Sequence, residues 1–275
     1  MKGFNINSEK CTRDGICVAV CPARIITPPS DEDLPRPVHD AEQYCIACGH
    51  CVSACPHGAL SLSWLKPEDC PPIRTDLAIT AEQAEQLLKA RRSVRVFKEK
   101  SLSPEQLEKL IRVACHAPSA KNMQPWHWTV VEKPSDVRRM AGMVIEWMRE
   151  IIRQDRKAAE AMGFVRAVKA WDAGYERICR DAPHVIVVHG DKTWRFGLQD
   201  CTLALEYLEL FASAQGIGTC WGGYFYAAVN GYPPLFEALG LPAEHRAYGA
   251  LMIGYPKYKY PRIPKRNGPR ISWLR

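Results

Sequence analysis

CIACGHCVSACP, residues 45–56, sets cysteines at 45, 48, 51 and 55 and a proline at 56. The spacing is C-x2-C-x2-C-x3-C-P, a run that holds iron–sulfur clusters. Zinc sites pair two C-x2-C hairpins at longer separation, so this compact run followed by Cys-Pro favours iron and sulfide over zinc. Upstream, KCTRDGICVAVCP, residues 10–22, repeats the run with one change. Cys11, Cys17, Cys21 and Pro22 keep the spacing, and Asp14 stands at the second cysteine position. An aspartate oxygen is a harder and weaker ligand for iron than thiolate. Three readings of Asp14 stand open. It, or a water in its place, ligates one iron of a [4Fe-4S] centre. That iron is absent and the site holds [3Fe-4S]. Or the site is empty and Asp14 is a turn residue before Gly15, because Asp-Gly is a good turn pair.

Seven of the twelve cysteines fall in the first 55 residues. A disulfide scaffold would be shorter and secreted, so metal binding is the expectation. Cys70, Cys115, Cys179, Cys201 and Cys220 are scattered, and Cys70 reads as a free thiol. The opening MKGFNINSEKC lacks the apolar stretch of a secretory signal. No run approaches the ~18 apolar residues of a membrane span. A cytoplasmic chain with no membrane partner is expected. The formal charge of +7 comes without a long Lys/Arg run and with acidic residues interspersed. No nucleic-acid partner is expected from it, and anionic cofactors would absorb much of the excess. A length of 275 residues, 47% of them apolar, fits a small domain joined to a mid-sized one.

Residues 3 to 65 resemble a two-cluster bacterial-type ferredoxin, in which the fourth cysteine of each run ligates the other cluster. The resemblance implies one [4Fe-4S] cluster on Cys45, Cys48, Cys51 and Cys21. It implies a second, [4Fe-4S] or [3Fe-4S], on Cys11, Cys17 and Cys55, with Asp14 at the remaining iron. It also implies two short hairpins, each carrying a helical turn. The expected division is an iron–sulfur domain at 1–65, a proline-rich linker at 66–79 and a second domain at 80–275.

In the second domain, Thr80 with Gln83 and Ser103 with Gln106 form capping boxes, the latter with Pro104 at the first helical position. The helix from Pro104 is expected to reach about His116. WHWTVV (126–131), HVIVVH (184–189) and AYGALMIGYP (247–256) read as strands. Residues 135–180 read as two amphipathic helices, and 199–215 as a nearly all-apolar helix ended by Gly216. The mixture predicts an α+β fold. Trp126 and Trp128 read as core, and His116 and His127 as structural.

Three segments together, RRSVRVF (91–97), APSAKNMQPWHWTVV (117–131) and GIGTCWGGYF (216–225), resemble the nitroreductase family of FMN enzymes over residues 80–275. The resemblance implies a nitroreductase-like, FMN-binding mixed sheet with surrounding helices. Arg91, Arg92 and Ser93 would serve the FMN phosphate, for which guanidinium and hydroxyl donors are suited. Arg95 would lie near flavin N1 and O2. Pro118, Ser119, Asn122 and Gln124 would form the flavin-contacting loop. Trp221, Gly222 and Gly223 would approach the ring, with glycine amides facing N5. Arg262 and Arg266 would be the tail cations on the phosphate. The resemblance further implies an intertwined homodimer with FMN at the subunit interface, consistent with the apolar helix 199–215. A substrate pocket walled by residues 140–180 is expected, with Arg153, Trp171 and Tyr175 as candidates. No side chain stands out as an obligatory acid or base.

The fusion predicts an FMN-dependent oxidoreductase that takes electrons from a donor such as ferredoxin, through the clusters, to a small organic acceptor. Two alternatives accompany it. One is an NAD(P)H-dependent nitroreductase, and the other a redox sensor or electron carrier with no substrate of its own.

Overall fold

The computed structural model of the chain describes residues 1–30 and 32–274. It divides into two units, Met1–Ala78 with Ala120–Met123, and Ile79–Ser119 with Gln124–Arg275.

In the first unit, β1 (Asn5–Ile6) is joined to the far end of the segment by antiparallel pairing with β2 (Leu60–Ser61). Between them lie three single-turn helices, α1 (Ile16–Ala19), α2 (Ala41–Tyr44) and α3 (His50–Ser53). α1 and α3 each start after a left-handed glycine, Gly15 at φ 72° and Gly49 at φ 73°. A side chain there would be strained, so glycine fixes how the chain turns from one cysteine to the next. The small core mixes cysteine with aliphatics: Cys17, Cys21 and Cys51 pack with Ile25, Ile26, Val52, Leu60 and Leu62. Residues 66–78 group with this unit and form two 3-10 turns, Pro67–Asp69 and Thr75–Leu77. Cys70 is half-buried against that core, whereas residues 71–80 are exposed throughout.

The second unit runs α4 (Ala81–Ala90), α5 (Pro104–Ala114), β3 (His127–Val131), α6 (Pro134–Gln154), α7 (Arg156–Ala161), α8 (Phe164–Asp172), β4 (His184–Asp191), α9 (Gly197–Ala214), β5 (Gly218–Trp221), α10 (Gly223–Gly231), α11 (Pro233–Ala238) and β6 (His245–Gly254). Both capping boxes form, with Thr80 Oγ1 accepting from Gln83 N–H and Ser103 Oγ from Gln106 N–H. Each cap stabilises its helix by about 1 kcal/mol.

The sheet is antiparallel, in the order β3-β4-β6-β5. Its middle strands are covered on both faces, so they read as continuous apolar runs rather than alternating ones. Period-two geometry still sorts their side chains. Val185 and Val187 join the core built with α6, α8 and α10, around Val144, Met148, Phe164 and Phe225. Ile186 and Val188 join the core built with α5 and α9, around Leu107, Leu110, Leu205 and Leu208. The fold is α+β.

Two expectations are corrected. The stretch 135–180 forms three helices instead of two, because the Asp155 carboxylate accepts the Ala158 N–H and starts a new helix where α6 ends. The helix from Pro104 stops at Ala114, short of His116. The glycine-rich stretch after Gly216 is ordered as β5 and α10. Trp126 is buried core, and Trp128 is half-buried with an unpartnered Nε1. No helix among the described residues is long and apolar enough to cross a membrane.

Candidate functional site

The two cysteine runs fold into two open cavities. One, of about 350 Å³, has Cys11, Asp14, Cys17 and Cys55 in its wall. The other, of about 340 Å³, has Cys21, Cys45, Cys48 and Cys51. Each set draws three positions from one run and its fourth from the other. All twelve cysteines are free thiols. Among the described residues no three His, Cys, Asp or Glu side chains close round a single ion. Burial pushes the Cys51 thiol up to about 11, and Cys48 beside it adds to the rise. Burial likewise raises Cys17, opposed by the Val18 amide. Walls of this kind hold thiolates only against a strongly cationic group, as iron is. Asp14 is exposed and its oxygens are engaged: Oδ1 accepts from Ile16 N–H at 3.0 Å and Oδ2 from Thr12 Oγ1 at 3.1 Å. Its carboxylate therefore orients the first turn of α1 as well as lining the cavity.

In the second unit, residues 93–94 run along β5, and residues 96–98 pair with residues 255–257 beyond β6. Ser93 bridges Thr219 in parallel, and Val94 N–H donates to the Thr219 carbonyl at 2.8 Å. Two segments far apart in sequence are thus brought together, Ser93 and Arg95 against Cys220, with Trp221, Gly222 and Gly223 next in line. Burial raises the Cys220 thiol, while Arg95, Arg180 and the Ser93 hydroxyl oppose it. A Cβ at Gly223 would meet nothing within 4 Å, so open space borders the backbone there. Arg92 donates to the Arg91 and Lys89 carbonyls at 2.5 and 2.6 Å, and its Nε is buried without a partner.

Arg91 is otherwise occupied. It lies 3.6 Å from Glu209 and 3.9 Å from Glu206. Glu209, at 2% exposure, also accepts from Thr219 Oγ1 at 2.7 Å and from Trp221 Nε1 at 2.9 Å. One buried carboxylate therefore fixes the indole of Trp221 and takes up the Arg91 charge. Burial and Glu209 push Glu206 above the usual carboxylate range, with Arg91 opposing. The sequence signal for Glu209 was an acid on the apolar helix 199–215, where a buried charge demands partners.

Pro118 is exposed. Ser119 Oγ accepts the Gln124 N–H at 3.0 Å, and Lys121, Asn122 and Gln124 all have positive φ. Residues 120–123 group with the first unit, where Asn122 Nδ2 donates to the Ala47 carbonyl at 3.0 Å. Arg262 and Arg266 lie on an exposed tail without regular structure. Within 140–180, Arg153 and Tyr175 are exposed and Trp171 packs on the core under Arg138. None of the three lines the cavity in this stretch, which is walled by Arg166, Arg177, Arg180 and Tyr224.

The nitroreductase family profile matches residues 88–255, and a 4Fe-4S dicluster domain profile matches residues 10–60. A protein of Archaeoglobus fulgidus, provisionally named an NADH dehydrogenase/NAD(P)H nitroreductase, is 32% identical over 176 residues, spanning 64% of this chain and 87% of its own. An iodotyrosine deiodinase of Thermotoga neapolitana is 30% identical over 186 residues, spanning 64% and 91%. A solved nitroreductase with bound FMN from Bacteroides fragilis shares the fold at a TM-score of 0.58 and 22% identity, spanning 71% of this chain and 100% of that one. The chain belongs to the nitroreductase family, as an oxidoreductase that carries a 4Fe-4S dicluster domain ahead of its nitroreductase domain.

Proposed function

We propose that the chain is an iron–sulfur flavoprotein that takes single electrons at two clusters and delivers them in pairs, with FMN, to a small organic acceptor. Nitroarenes, enones, quinones and halogenated aromatics are the acceptor classes considered. The observation that carries this reading is the pair of cavities, each walled by a crossed set of four residues. The ligand assignment is Cys45, Cys48, Cys51 and Cys21 for one [4Fe-4S] cluster. Cys11, Cys17 and Cys55, with Asp14, hold the other as [4Fe-4S] or [3Fe-4S].

FMN, when bound, supplies a centre that fills one electron at a time and empties two at a time. The residues present fit it. Ser93 and the Arg92 side chain offer donors for the phosphate, joined by the tail cations Arg262 and Arg266. Arg91 would contribute only by loosening its hold on Glu206 and Glu209. Arg95 stabilises negative charge at the N1/O2 edge. Gly223 presents its backbone amide to N5 beside open space, whereas the Gly222 N–H is spent on the Ala250 carbonyl at 2.8 Å; Trp221 is held by Glu209. Pro118, Ser119 and Gln124 serve the ribityl chain or ring edge. Leu88, Leu198, Leu203 and Tyr207 are exposed on α4 and α9, which supports a second copy of the chain packing there, with FMN at the interface. A nitroarene takes two electrons and two protons and leaves as nitrosoarene and water, with the protons drawn from water.

The names of some relatives favour a second reading, with NAD(P)H as the reductant. One anaerobic experiment separates the two. Protein loaded with FMN and clusters is mixed with dithionite, reduced ferredoxin or NAD(P)H, and flavin bleaching is followed optically. Rapid bleaching by reduced ferredoxin and not by NAD(P)H supports the proposal; the reverse assigns the reductant to NAD(P)H. A preparation without visible flavin or iron ends both readings.

A further inference from the structure

The loop ahead of β4 and the first turn of α8 enclose an open cavity of about 430 Å³. Its charged lining is Arg166, Arg177 and Arg180, with no acid among the lining residues. Among the described residues, none of the three arginines forms an ion pair. The acids nearest in sequence are committed elsewhere. Asp181 pairs with Arg138 at 2.9 Å. Glu176, at 8% exposure, accepts from the backbone N–H groups of Ile178, Cys179 and Asp181 at 2.5, 2.8 and 2.8 Å.

That buried carboxylate ties the loop carrying Arg177 and Arg180 into one shape. The shape is a costly one. Arg180 at φ 59° and Asp181 at φ 51° are left-handed non-glycine residues. Such conformations cost on the order of 1 kcal/mol or more each and persist where the surroundings over-determine them. Glu176 and the Asp181–Arg138 pair offset part of that strain within the loop, while the arginines themselves face a cavity with no counter-charge. Three like charges held together call for a balancing anion from outside. Guanidinium forks match the two oxygens of a carboxylate or phosphate. The N-terminal turn of α8, in the same wall, adds to the positive field.

The cavity also adjoins the candidate flavin residues of the same unit. Tyr224 in its wall directly follows Gly222 and Gly223, and Arg180 acts with Arg95 on Cys220. We propose that this cavity recognises an anionic group, carboxylate or phosphate, on the electron acceptor, an inference that rests on the functional reading above. The acceptor is then an organic anion whose reducible group reaches the flavin while its charge rests among Arg166, Arg177 and Arg180.

The test uses anaerobic protein loaded with FMN and clusters, and two acceptors that differ in charge, 4-nitrobenzoate and methyl 4-nitrobenzoate. With dithionite as reductant, kcat/KM should favour the carboxylate by about tenfold. The double variant Arg166→Gln/Arg177→Gln should bring that ratio close to one, chiefly through the KM for the carboxylate. Arg177→Lys should restore part of the preference, because charge returns without the fork. Arg112→Gln, an exposed change on α5, should leave the ratio as it was. If the double variant fails to fold, Arg166→Gln alone, at an exposed position, provides the same comparison.

Calorimetric titration of the oxidised protein with 4-nitrobenzoate gives a readout that needs no turnover. Binding lost in the double variant supports the proposal even if the reduced protein turns over neither compound, a failure that would refute the functional reading alone. A ratio near one in the unaltered protein, without calorimetric binding, overturns the proposal. So does a preference that survives the double variant. Loss of FMN from the double variant, with the anion preference intact after refilling, also overturns it and assigns the arginines to the cofactor's phosphate.

Discussion

Residues 11–24 and 45–58 trace nearly the same backbone twice, and among their four cluster-ligand positions differ in one side chain. Arg13 and Ala47 are left-handed at φ 59° and 50°, and Gly15 and Gly49 at 72° and 73°. Arg24 and Gly58 follow at 52° and 57°. Each hairpin carries one helical turn of four residues, α1 and α3. At the matching position, Cys48 is half-buried in its cavity wall and Asp14 is exposed, with both oxygens hydrogen-bonded. The backbone therefore does not depend on a cysteine there. Aspartate supplies its own local reason for the turn, an acceptor for the Ile16 amide, and leaves the choice of ligand to chemistry rather than to the fold.

The largest test of this comparison removes a thiol from the complete hairpin. Cys48→Ala should lose about four of the roughly eight irons expected for two filled sites. Because the sets are crossed, Cys21→Ser should erase the same EPR signal as Cys48→Ala, although Cys21 lies in the other hairpin. If Cys21→Ser instead matches Cys17→Ser, each hairpin holds its own cluster and the crossed assignment fails. A smaller effect belongs to Asp14. Asp14→Ala should change iron content by no more than about one per chain. It should also lower stability by about 1 kcal/mol through the lost turn acceptor, read by denaturant titration. Asp14→Cys should preserve or raise iron content and remove any near-isotropic [3Fe-4S] signal. A loss of half the iron on Asp14→Ala would make the two positions equivalent and end the contrast.

A further test lies outside the hairpins and separates acid damage to the fold from acid loss of iron. His189 lies with its ring tilted against those of His127 and His245, its Nδ1 2.9 Å from His245 Nδ1 and its Nε2 3.2 Å from Thr129 Oγ1. Burial first, then the two neighbouring imidazoles, hold His189 down at about 4. The unfolded chain takes up that proton near 6.5, so the unfolded state gains protons first as acid is added. Stability of the second unit should be full above about pH 6.5 and fall toward pH 4, by on the order of 1–2 kcal/mol. His189→Asn should flatten that slope in thermal melts. An unchanged slope would place the acid sensitivity elsewhere.

Much of this was legible along the chain. Both capping boxes and the starts of α4 and α5 follow from side chains three residues apart. The strands of residues 126–131, 184–189 and 247–256 show in apolar runs. The α6–α7 break was harder to see, because Asp155 interrupts an amphipathic pattern that otherwise continues. β5 was hidden among glycines, and its strand character comes from pairing with β6 rather than from its own composition. Arg91 read as a phosphate donor beside Ser93, and nothing near it in sequence announced Glu206 and Glu209.

Cysteine spacing, turn glycines and helix caps act over a few residues of backbone, so their geometry is already implied by the order of residues. Charge partnerships act through space. Glu209 with Arg91, Thr219 and Trp221, and the three arginines gathered beside Tyr224, depend on which surfaces the packed sheet and helices bring together. A buried or clustered charge must be balanced where it finally lies, and that place is settled by the packing of elements far apart along the chain.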